Sequence, residues 1–286
     1  MNILLTGGAG FIGYQWCRRL AAKGHKVVVL DNLSAGPKPK FPAGVRFIKG
    51  DILRPDDVSR AFEFGPFDRI DHLAAESSVP LSSKSPLSGF ENNVLGTVYL
   101  LEACRLHHVP EFLFTSSSTV YGRAAVPTPE EAPFSPASNY GASKAAAECY
   151  VMSYARIYGF RARILRLANI IGPTATKGVM AELRAKLSKN RKMLKILGDG
   201  TQAKSFLPVE DALDLFEIVL EKSTESVGIY NIGSGKMTTI REIADAVCRD
   251  MDCHPVYAFS KTRGGWSGDV EEMNLSVKKV AELKKR

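Results

Sequence analysis

A glycine-rich segment near the beginning of the 286-residue chain reads Thr6-Gly7-Gly8-Ala9-Gly10-Phe11-Ile12-Gly13, and it lies between a short apolar run and an amphipathic stretch. Its glycines match Gly-x-Gly-x-x-Gly from Gly8 and Gly-x-x-Gly-x-x-Gly from Gly7. Residues without a Cβ permit a tight strand-to-helix turn and let the backbone approach a pyrophosphate. The free N–H groups that begin the following helix favour an anion. The segment therefore predicts a turn that binds a dinucleotide.

An acidic residue ends the next apolar run, which reads Val-Val-Val-Leu-Asp31. Asp31 comes 18 residues after Gly13, close to the spacing at which a carboxylate binds the ribose hydroxyl of a dinucleotide. A carboxylate at this position repels the 2′-phosphate of NADP. The two signals together predict NAD as the cofactor.

Short apolar runs alternate with amphipathic stretches through the first two thirds of the chain. The runs are continuous rather than alternating in hydrophobicity, which is typical of strands covered on both faces. Strand–helix alternation of this kind predicts an α/β fold, a doubly wound parallel Rossmann sheet. The predicted strands are residues 3–6, 26–30, 46–48, 70–73, 112–115 and 163–167, and the predicted helices between them are 11–23, 56–62, 93–107 and 140–158.

The last third of the chain changes character and predicts a smaller C-terminal α/β substrate-binding part. Helices are predicted over 179–189 and 239–251, and the second opens with the capping box Thr239-Ile-Arg-Glu242. We expect residues 1–168 to form the NAD-binding domain, with 204–232 returning to it. Residues 169–203 and 233–286 are expected to form the substrate-binding part.

The composition is that of a soluble globular protein. Together with the sequence patterns, it argues against nucleic acid and a membrane as partners. The chain carries 38 Lys and Arg against 30 Asp and Glu, and 45% of its residues are hydrophobic, which excludes a disordered or collagen-like chain. The basic clusters lack interleaved aromatic residues, so nucleic acid is not an expected partner. No apolar run approaches the ~18 residues of a membrane span, so a membrane is not expected either. The first residues lack a signal peptide's pattern, and five cysteines without a CxxC pair indicate reduced thiols in the cytoplasm and no metal site.

Two polar clusters offer groups for proton transfer. Tyr140 and Lys144 begin a predicted helix, and their spacing of four places them on one face. A nearby ammonium favours a phenolate, so Lys144 is expected to lower the pKa of Tyr140 and make it a base. Ser117 lies in the segment Thr115-Ser-Ser-Ser-Thr-Val-Tyr-Gly122, at the carboxyl end of a strand, where α/β folds bind ligands. Its hydroxyl can bind the oxygen that Tyr140 deprotonates. Alone, each cluster is also compatible with a surface pair or a Ser-rich loop.

The glycine-rich turn, the Ser117 segment and the Tyr140–Lys144 pair follow one another along the chain. In this order they resemble the extended short-chain dehydrogenase/reductase family, in its nucleotide-sugar epimerase/dehydratase branch. The resemblance extends over nearly the whole chain. Further matching segments are Asp51-Ile52, His72-Leu-Ala-Ala75, Asn92-Asn93-Val-Leu-Gly-Thr97, Arg166-Leu-Ala-Asn169-Ile-Ile-Gly172-Pro173, Gly198-Asp-Gly200 and Tyr230-Asn-Ile-Gly-Ser-Gly235.

The resemblance implies roles for individual residues. It implies that Ser117, Tyr140 and Lys144 are catalytic. The cofactor-binding residues it implies are Gly7, Gly10, Phe11, Ile12, Gly13, Asp31, Asn32, Asp51, Ile52, Leu73, Ala74, Ala75, Asn92, Thr115, Tyr140 and Lys144. The substrate-binding residues it implies are Ser117, Ser118, Asn169, Lys204 and Arg263.

The resemblance also implies an activity. It implies NAD-dependent epimerisation of a nucleotide-diphosphate sugar, in the first place a UDP-sugar, at C4. The reaction passes through a transient 4-keto intermediate with no net redox change. A homodimer is implied as well, with the helices at 93–107 and 140–158 pairing across a two-fold axis.

The sequence leaves three alternatives to an epimerase open, and the first is a nucleotide-sugar dehydratase. Dehydratases of this family resemble one another by an Asp-Glu pair just before the Val-Tyr-Gly, where this chain has Ser118-Thr119, and this favours an epimerase. The segment around Glu76 looks more like the dehydratase version. A single-direction 4-ketoreductase and a non-catalytic Rossmann binding protein are the others.

Two further positions depart from the family's pattern. Lys204 stands where the family usually has Arg, and a lysine keeps the charge but cannot bind a phosphate in the bidentate manner of an arginine. The family's Arg-x-Gly-Asp is present only in altered form at Arg263. The contacts of both residues with the nucleotide are therefore expected to differ from the family's usual ones.

Overall fold

The computed structural model describes residues 1–260 and 270–286. One large sheet contains seven strands. They are β1 (Asn2–Thr6), β2 (Lys26–Asp31), β3 (Arg46–Lys49), β4 (Arg69–His72), β5 (Glu111–Ser117), β6 (Arg161–Leu167) and β11 (Val227–Ile232). The order across the sheet is β11-β6-β5-β4-β1-β2-β3, and every neighbouring pair is parallel. The order reverses between β1 and β4, and the crevice at such a reversal is where open α/β sheets bind ligands.

Helices cover both faces of this sheet. They are α1 (Phe11–Ala22), α2 (Pro55–Phe62), α5 (Gly96–Leu106), α6 (Asn139–Tyr158), α8 (Val209–Lys222) and α10 (Lys278–Lys285). Two short helices, α3 (Val79–Lys84) and α4 (Pro86–Phe90), pack against α6. A π-helical turn (Glu91–Leu95) joins α4 to α5, and a single 3₁₀ turn (Ser118–Val120) follows β5.

Two separate hydrophobic cores result from the alternation of side chains along each strand. Leu4 of β1 packs in the core beneath α2, α5 and α6, together with Val151 of α6. Its neighbours Ile3 and Leu5 point the other way and pack with Trp16 of α1, in the core beneath α1, α8 and α10. The doubly wound parallel α/β fold predicted from the sequence is confirmed.

The remaining elements form a smaller part with its own core. They are β7 (Asn169–Ile171), α7 (Val179–Lys189), β8 (Met193–Ile196), β9 (Ala203–Lys204), β10 (Phe206–Pro208), β12 (Thr238–Thr239), α9 (Ile240–Asp250), β13 (Val256–Phe259) and β14 (Glu272–Met273). Helices α7 and α9 pack together over β8 and β13 through residues such as Leu187 and Val247. The capping box of α9 is formed by Thr239 and Glu242, as predicted.

The terminal helix α10 lies apart from this smaller part. Val280 and Leu283 of α10 are buried in the same core as Leu213 of α8, on one face of the seven-stranded sheet. The sequence groups these residues with the substrate-binding part, whereas their packing is with the large sheet. The strand β11 (Val227–Ile232), by contrast, pairs with β6 and lies within the segment expected to return to the first domain.

One helix begins earlier in the structure than the sequence predicts. The sequence predicts a helix over 93–107, but the helical path already begins at Pro86 and passes through the π-helical turn Glu91–Leu95 before α5. A π-helical turn adds a residue to one turn, so a period of 3.6 does not detect it. Among residues 1–260 and 270–286, no helix is both long and apolar enough to cross a membrane.

Candidate active site

The glycine-rich turn lies between β1 and α1 and leaves no space for side chains. Gly7 has a φ of +72°, and a Cβ there would lie 2.5 Å from the backbone nitrogen of Ala74. A Cβ on Gly13 would lie 2.1 Å from the carbonyl oxygen of Gly7. Gly10 is the N-cap of α1 and has no side chain to cover the first N–H groups. The turn therefore presents free backbone donors at a helix N-terminus, as an anion requires.

Asp31 ends β2 beside this turn. One carboxylate oxygen accepts a hydrogen bond from the N–H of Ala9 at 2.9 Å, and the other accepts from the N–H of Leu33 at 2.7 Å. These two contacts hold the carboxylate next to the glycine-rich turn, where an acidic group can bind ribose hydroxyls and repel a 2′-phosphate.

A second polar pair lies at the neighbouring strand end. Asn32 donates to the Asp51 carboxylate at 3.0 Å, so these two predicted residues lie together. Ile52 is buried and packs against Gly96, where an added Cβ would lie 2.6 Å from it. The pair and the isoleucine form one polar and one apolar wall at the ends of β2 and β3.

The other predicted cofactor residues lie around the same crevice. Leu73, Ala74 and Ala75 directly follow β4 and are half-buried. Phe11 and Ile12 form the first turn of α1. Asn92 lies in the π-helical turn, and its amide donates to the carbonyl of Ser88 at 2.9 Å, within its own helix.

Ser117 and Tyr140 are brought together at the carboxyl end of β5. Ser117 is the last residue of β5, and Tyr140 lies in the first turn of α6. The N-terminus of α6 is capped by Ser138 and docks on α3, because the N–H of Tyr140 donates to Ser82 at 3.1 Å. The Ser117 hydroxyl lies near enough to the Tyr140 hydroxyl to lower the pKa of that phenol through hydrogen bonding. The two hydroxyl groups proposed to react thus come from different elements, Ser117 from β5 and Tyr140 from α6.

Lys144 lies one helical turn after Tyr140 and is only 2% exposed. Its ammonium donates to the carbonyl oxygen of Thr115 at 2.9 Å and lies 4.7 Å from the ring centre of Phe114. Burial lowers its pKa to about 7, against the opposing effect of the Glu148 carboxylate. Lys144 is therefore a buried, hydrogen-bonded amine at the end of β5.

The pKa of Tyr140 shifts in the direction opposite to the one expected from the sequence. Burial, with a smaller contribution from the Glu76 carboxylate, raises the pKa of Tyr140 to about 12, although a hydrogen bond with Ser117 acts in the opposite direction. The expectation of a lowered Tyr140 pKa is wrong for the protein alone, because burial dominates and the Lys144 ammonium is turned toward Thr115. A bound group that carries positive charge or turns Lys144 toward the phenol would shift the balance.

A buried chain of hydrogen bonds connects β1 to α5 through His72. Thr6 hydrogen-bonds the Nδ1 of His72 at 2.7 Å, and the Nε2 hydrogen-bonds Thr97 at 2.9 Å. The Thr97 hydroxyl already donates to the carbonyl of Asn93, so it accepts from Nε2, which therefore carries the proton of the neutral imidazole. Burial and the ammonium of Lys144 both lower the pKa of His72 well below its ordinary value, in agreement with this assignment.

Asn93 extends the same chain of hydrogen bonds to the first turns of α6. Its amide donates to Ser143 at 2.9 Å and to the carbonyl of Glu76 at 3.1 Å, and its oxygen accepts from the N–H of Glu76 at 2.8 Å. Ser143 in turn donates to the carbonyl of Tyr140 at 2.8 Å. The π-helical turn thereby connects the loop of Glu76 to the first turn of α6. The sequence analysis identified the Asn92-Asn93 segment but gave Asn93 no positioning role.

A buried ion pair lies further along α6. Arg166 of β6 donates to Glu148 at 2.8 Å, and the two side chains are 3% and 0% exposed. Glu148 also accepts from Ser116, and Arg166 also donates to Tyr121 at 2.8 Å. Tyr140, Lys144 and Glu148 are spaced four residues apart, so they form one face of α6. No role was predicted for Glu148, although its spacing from Lys144 is visible in the sequence.

The predicted substrate-binding residues occupy several elements. Ser118 is buried in the 3₁₀ turn after Ser117. The Asn169 amide donates to the carbonyl of Ser205 at 3.2 Å, and Lys204 lies in β9, paired with β12 and β14. Arg263 lies outside the described residues. In residues 1–260 and 270–286, no group of three His, Cys, Asp or Glu side chains is placed to hold a metal ion.

The residues of the crevice fit NAD. The glycine-rich turn leads directly into the N-terminus of α1, and a Cβ at Gly10 would lie only 3.2 Å from the Gly7 carbonyl. The Asp31 carboxylate lies at its side for the adenine ribose. Lys144 is a buried donor at the end of β5 and would be available to the second ribose of a bound dinucleotide. These groups lie at the strand ends on either side of the strand-order reversal between β1 and β4, where open α/β sheets bind ligands.

Comparison with known proteins extends this result beyond the site. The model of the NAD dependent epimerase/dehydratase family matches residues 3–233. The chain is 38% identical to a UDP-glucose 4-epimerase of Mycolicibacterium smegmatis, over 99% of this chain and 92% of the relative. It is 36% identical to a Thermus thermophilus UDP-glucose 4-epimerase solved with NAD, with a TM-score of 0.89 over 100% of this chain and 94% of the other. A dTDP-glucose 4,6-dehydratase of Streptomyces venezuelae, solved with NAD, has a TM-score of 0.89 at 29% identity, covering 100% of this chain and 92% of its own.

Proposed function

Because the chain belongs to the NAD dependent epimerase/dehydratase family, we propose that it epimerises a nucleotide-diphosphate sugar, most directly a UDP-sugar at C4. The reaction passes through a 4-keto intermediate and causes no net redox change. The relatives called UDP-glucose 4-epimerase align over nearly the whole chain. NAD is the cofactor, in agreement with the glycine-rich turn and with Asp31.

The observation that carries the proposal is the position of three groups at one strand end. Ser117 ends β5, Tyr140 hydrogen-bonds it from α6, and Lys144 lies one turn later against the Thr115 carbonyl. These residues border the crevice that contains the glycine-rich turn. A phenol, a hydroxyl and an amine at this point can exchange a proton with a sugar hydroxyl.

Tyr140 is the proton acceptor in this proposal. As a phenolate it takes the proton of the C4 hydroxyl, and as a phenol it returns that proton to the product. Ser117 donates a hydrogen bond that stabilises the phenolate. Lys144 holds a ribose and adds positive charge when it turns from Thr115. NAD, when bound, supplies the acceptor and donor of hydride at the same carbon.

The residues beside Ser117 support an epimerase over a dehydratase. Water elimination needs a further acid and base, and the family's dehydratases resemble one another by an Asp-Glu pair at positions where this chain has Ser118 and Thr119. Here Ser118 is buried and Thr119 hydrogen-bonds Ser117. Neither side chain is an acid. Epimerisation at one carbon needs only the Tyr140 proton exchange.

A nucleotide-sugar dehydratase is the second candidate, and one observation favours it. Glu76 is half-buried and lies near enough to Tyr140 for its carboxylate to raise the tyrosine pKa. One carboxylate oxygen accepts the N–H of Ser78 at 2.9 Å. A carboxyl at this position is the group that could act in water elimination.

Substrate anchoring is proposed for residues of the smaller part. Asn169 lies on β7 and Lys204 on β9, and the two positions are close because the Asn169 amide donates to the carbonyl of Ser205, the residue after Lys204. Lys204 is a point charge and cannot make the bidentate phosphate contact of an arginine. We therefore assign it a purely electrostatic attraction to the substrate diphosphate. Such anchoring keeps the keto sugar in the site while it turns.

A homodimer in the cytoplasm completes the proposal. Several apolar residues of the two helices expected to pair, such as Leu100, Leu101 and Val151, are buried within their own chain. Exposed apolar side chains remain at the ends of the same helices: Leu106 is 61% and Ile157 is 67% exposed. All five cysteines are free thiols. Light scattering should give twice the 31.2 kDa chain mass, and a monomer at micromolar concentration would overturn the dimer.

Product analysis tests the proposed activity. Purified protein is incubated with UDP-, dTDP-, GDP- and CDP-sugars, and the products are identified by NMR. We expect interconversion of C4 epimers for one nucleotide class, and a rate lower by about 10²–10⁴ with Tyr140→Phe. A product that has lost water, together with loss of activity in Glu76→Gln, would replace the epimerase by the dehydratase.

A further inference from the structure

The side-chain oxygen of Ser117 accepts two hydrogen bonds, and both donors belong to Thr119. The backbone N–H of Thr119 donates to Ser117 Oγ at 3.2 Å, and the hydroxyl of Thr119 donates to the same atom at 2.9 Å. Both come from the 3₁₀ turn Ser118–Val120, which follows β5 directly. Ser117 itself is buried and Thr119 is half-buried.

These two contacts determine how Ser117 can use its hydroxyl. A serine hydroxyl has one proton to donate and two lone pairs to accept with. Thr119 occupies both lone pairs. The only hydrogen bond left to Ser117 is donation of its proton, and its neighbour on the crevice side is the hydroxyl of Tyr140.

We propose that Thr119 is a positioning residue that makes Ser117 an obligatory hydrogen-bond donor to the Tyr140 oxygen. This inference rests on the proposed function, because it concerns the base of that reaction. Donation to a phenolate stabilises its charge, whereas donation from Tyr140 to Ser117 would stabilise the neutral phenol. Thr119 excludes the second arrangement, since Ser117 then has no free lone pair.

The direction matters because the other groups near Tyr140 do not all favour the phenolate. Glu76 approaches from the segment after β4 and opposes ionisation, and burial does so as well. Lys144 lies on the same helix but donates to the Thr115 carbonyl, and His72, beneath Lys144, is neutral. In the protein alone, the hydrogen bond from Ser117 is the contact that favours ionised Tyr140.

The chemistry of position 119 also separates the two candidate activities. A threonine at this position can donate to Ser117. A carboxylate, as in the Asp-Glu pair of the family's dehydratases, can only accept from it and would turn the serine proton away from Tyr140. Thr119 is therefore the choice suited to a reaction whose only proton exchange is at Tyr140.

Thr119→Val tests this inference because it removes the hydroxyl donor and keeps the β-branched shape. A typical hydrogen bond of this kind corresponds to a rate change of about 3- to 10-fold. We expect kcat to fall by about this factor with KM changed less than about twofold, because the contact acts on the ionised base. The pH at half-maximal kcat should rise by about 0.5–1 unit. Thr119→Ser keeps the donor and should retain the wild-type rate and pH profile.

A matched control is Thr128→Val, which also removes a buried threonine hydroxyl that donates one hydrogen bond at 2.8 Å, there to the carbonyl of Ala125. This control should leave the pH profile unchanged. A second readout does not depend on turnover. The phenolate absorbance of the protein as purified is titrated, and the curve of the Tyr140→Phe variant is subtracted to isolate Tyr140.

The outcomes separate cleanly. A higher Tyr140 pKa in Thr119→Val, but not in Thr119→Ser, supports the inference even if wild type turns over none of the sugars and the proposed function fails. An unchanged Tyr140 titration in Thr119→Val overturns the inference even if the enzyme is an epimerase. A fall in kcat without any shift of the pH profile or the titration also overturns it, since that is what general loss of packing would give.

Discussion

Removal of the Glu148 carboxylate should be costly, because its partner Arg166 is equally buried. The two side chains are 0% and 3% exposed and are joined at 2.8 Å. Glu148→Gln keeps the shape of the residue and an amide oxygen that accepts from Arg166, but it leaves the guanidinium charge without a counterion. Tyr121 and the carbonyl of Glu130 still accept from Arg166, so hydrogen bonds remain while the charge does not.

The expected magnitude follows from the burial. Breaking a buried ion pair by removal of one partner costs about 3–5 kcal/mol. Since the amide introduced by Glu148→Gln retains part of the hydrogen bonding, we expect the free energy of unfolding to fall by about 3 kcal/mol, roughly two powers of ten in the equilibrium constant. Activity should fall as well, because Glu148 raises the pKa of Lys144 and its loss leaves that amine less charged.

Glu102→Gln is the matched control. Glu102 and Arg105 are also joined at 2.8 Å, but both are 36% exposed, and exposed pairs contribute about 0.2–1 kcal/mol. Equilibrium urea denaturation at one fixed NAD concentration measures both variants, since a bound ligand adds its own stabilisation. A loss below about 1 kcal/mol for Glu148→Gln, or one equal to that of Glu102→Gln, would refute the argument from burial.

Three further predictions concern the crevice. Gly13→Ala should weaken NAD binding at least about tenfold in calorimetric titration because its Cβ would lie 2.1 Å from the Gly7 carbonyl; Gly89→Ala, whose Cβ would have its nearest neighbour at 3.9 Å, should stay within about twofold, and equal affinities would contradict the role of the turn. Asp31→Ser should raise the affinity for NADP relative to NAD at least about tenfold, because it removes a repulsive charge, and an unchanged ratio would show that Asp31 does not select the cofactor. The free energy of unfolding should rise with pH between 7 and 10.5, because Lys144 releases its proton near pH 7 in the folded protein and only near 10.5 in the unfolded chain. In Lys144→Met, the urea midpoint should rise less over this range. An identical rise in both proteins would contradict the prediction.

The regular part of the fold could be predicted from the sequence because it depends on local patterns. All six predicted strands are present in the large sheet, with ends that differ by one to two residues, and the glycine-rich turn lies between β1 and α1. Continuous apolar runs identify strands of a covered sheet, and glycine spacing identifies the turn. The π-helical turn Glu91–Leu95 could not be predicted, because it depends on tertiary contacts of Asn93 rather than on periodicity.

The pKa values and hydrogen bonds of the site could be predicted less well from the sequence than the fold. The Tyr140–Lys144 spacing correctly places both residues at the beginning of α6, but it does not show how far the phenol is buried or that Lys144 donates to Thr115. Burial and hydrogen-bond direction decide the pKa of Tyr140, and both depend on three-dimensional packing. The same reason explains why Thr119 and Glu148 were given no role. The assignments of Asn169 and Lys204 to the substrate stay predictions.

The most direct test of the central claim is the fate of the C4 hydrogen in deuterated water. Purified protein is incubated with UDP-galactose in D₂O and the products are followed by NMR. We expect UDP-glucose that keeps protium at every ring carbon, because hydride returns to the same carbon and only the hydroxyl proton of Tyr140 exchanges. Tyr140→Phe should lower the rate by about 10²–10⁴. Deuterium on carbon, loss of water from the sugar, or wild-type rates in Tyr140→Phe would contradict the account.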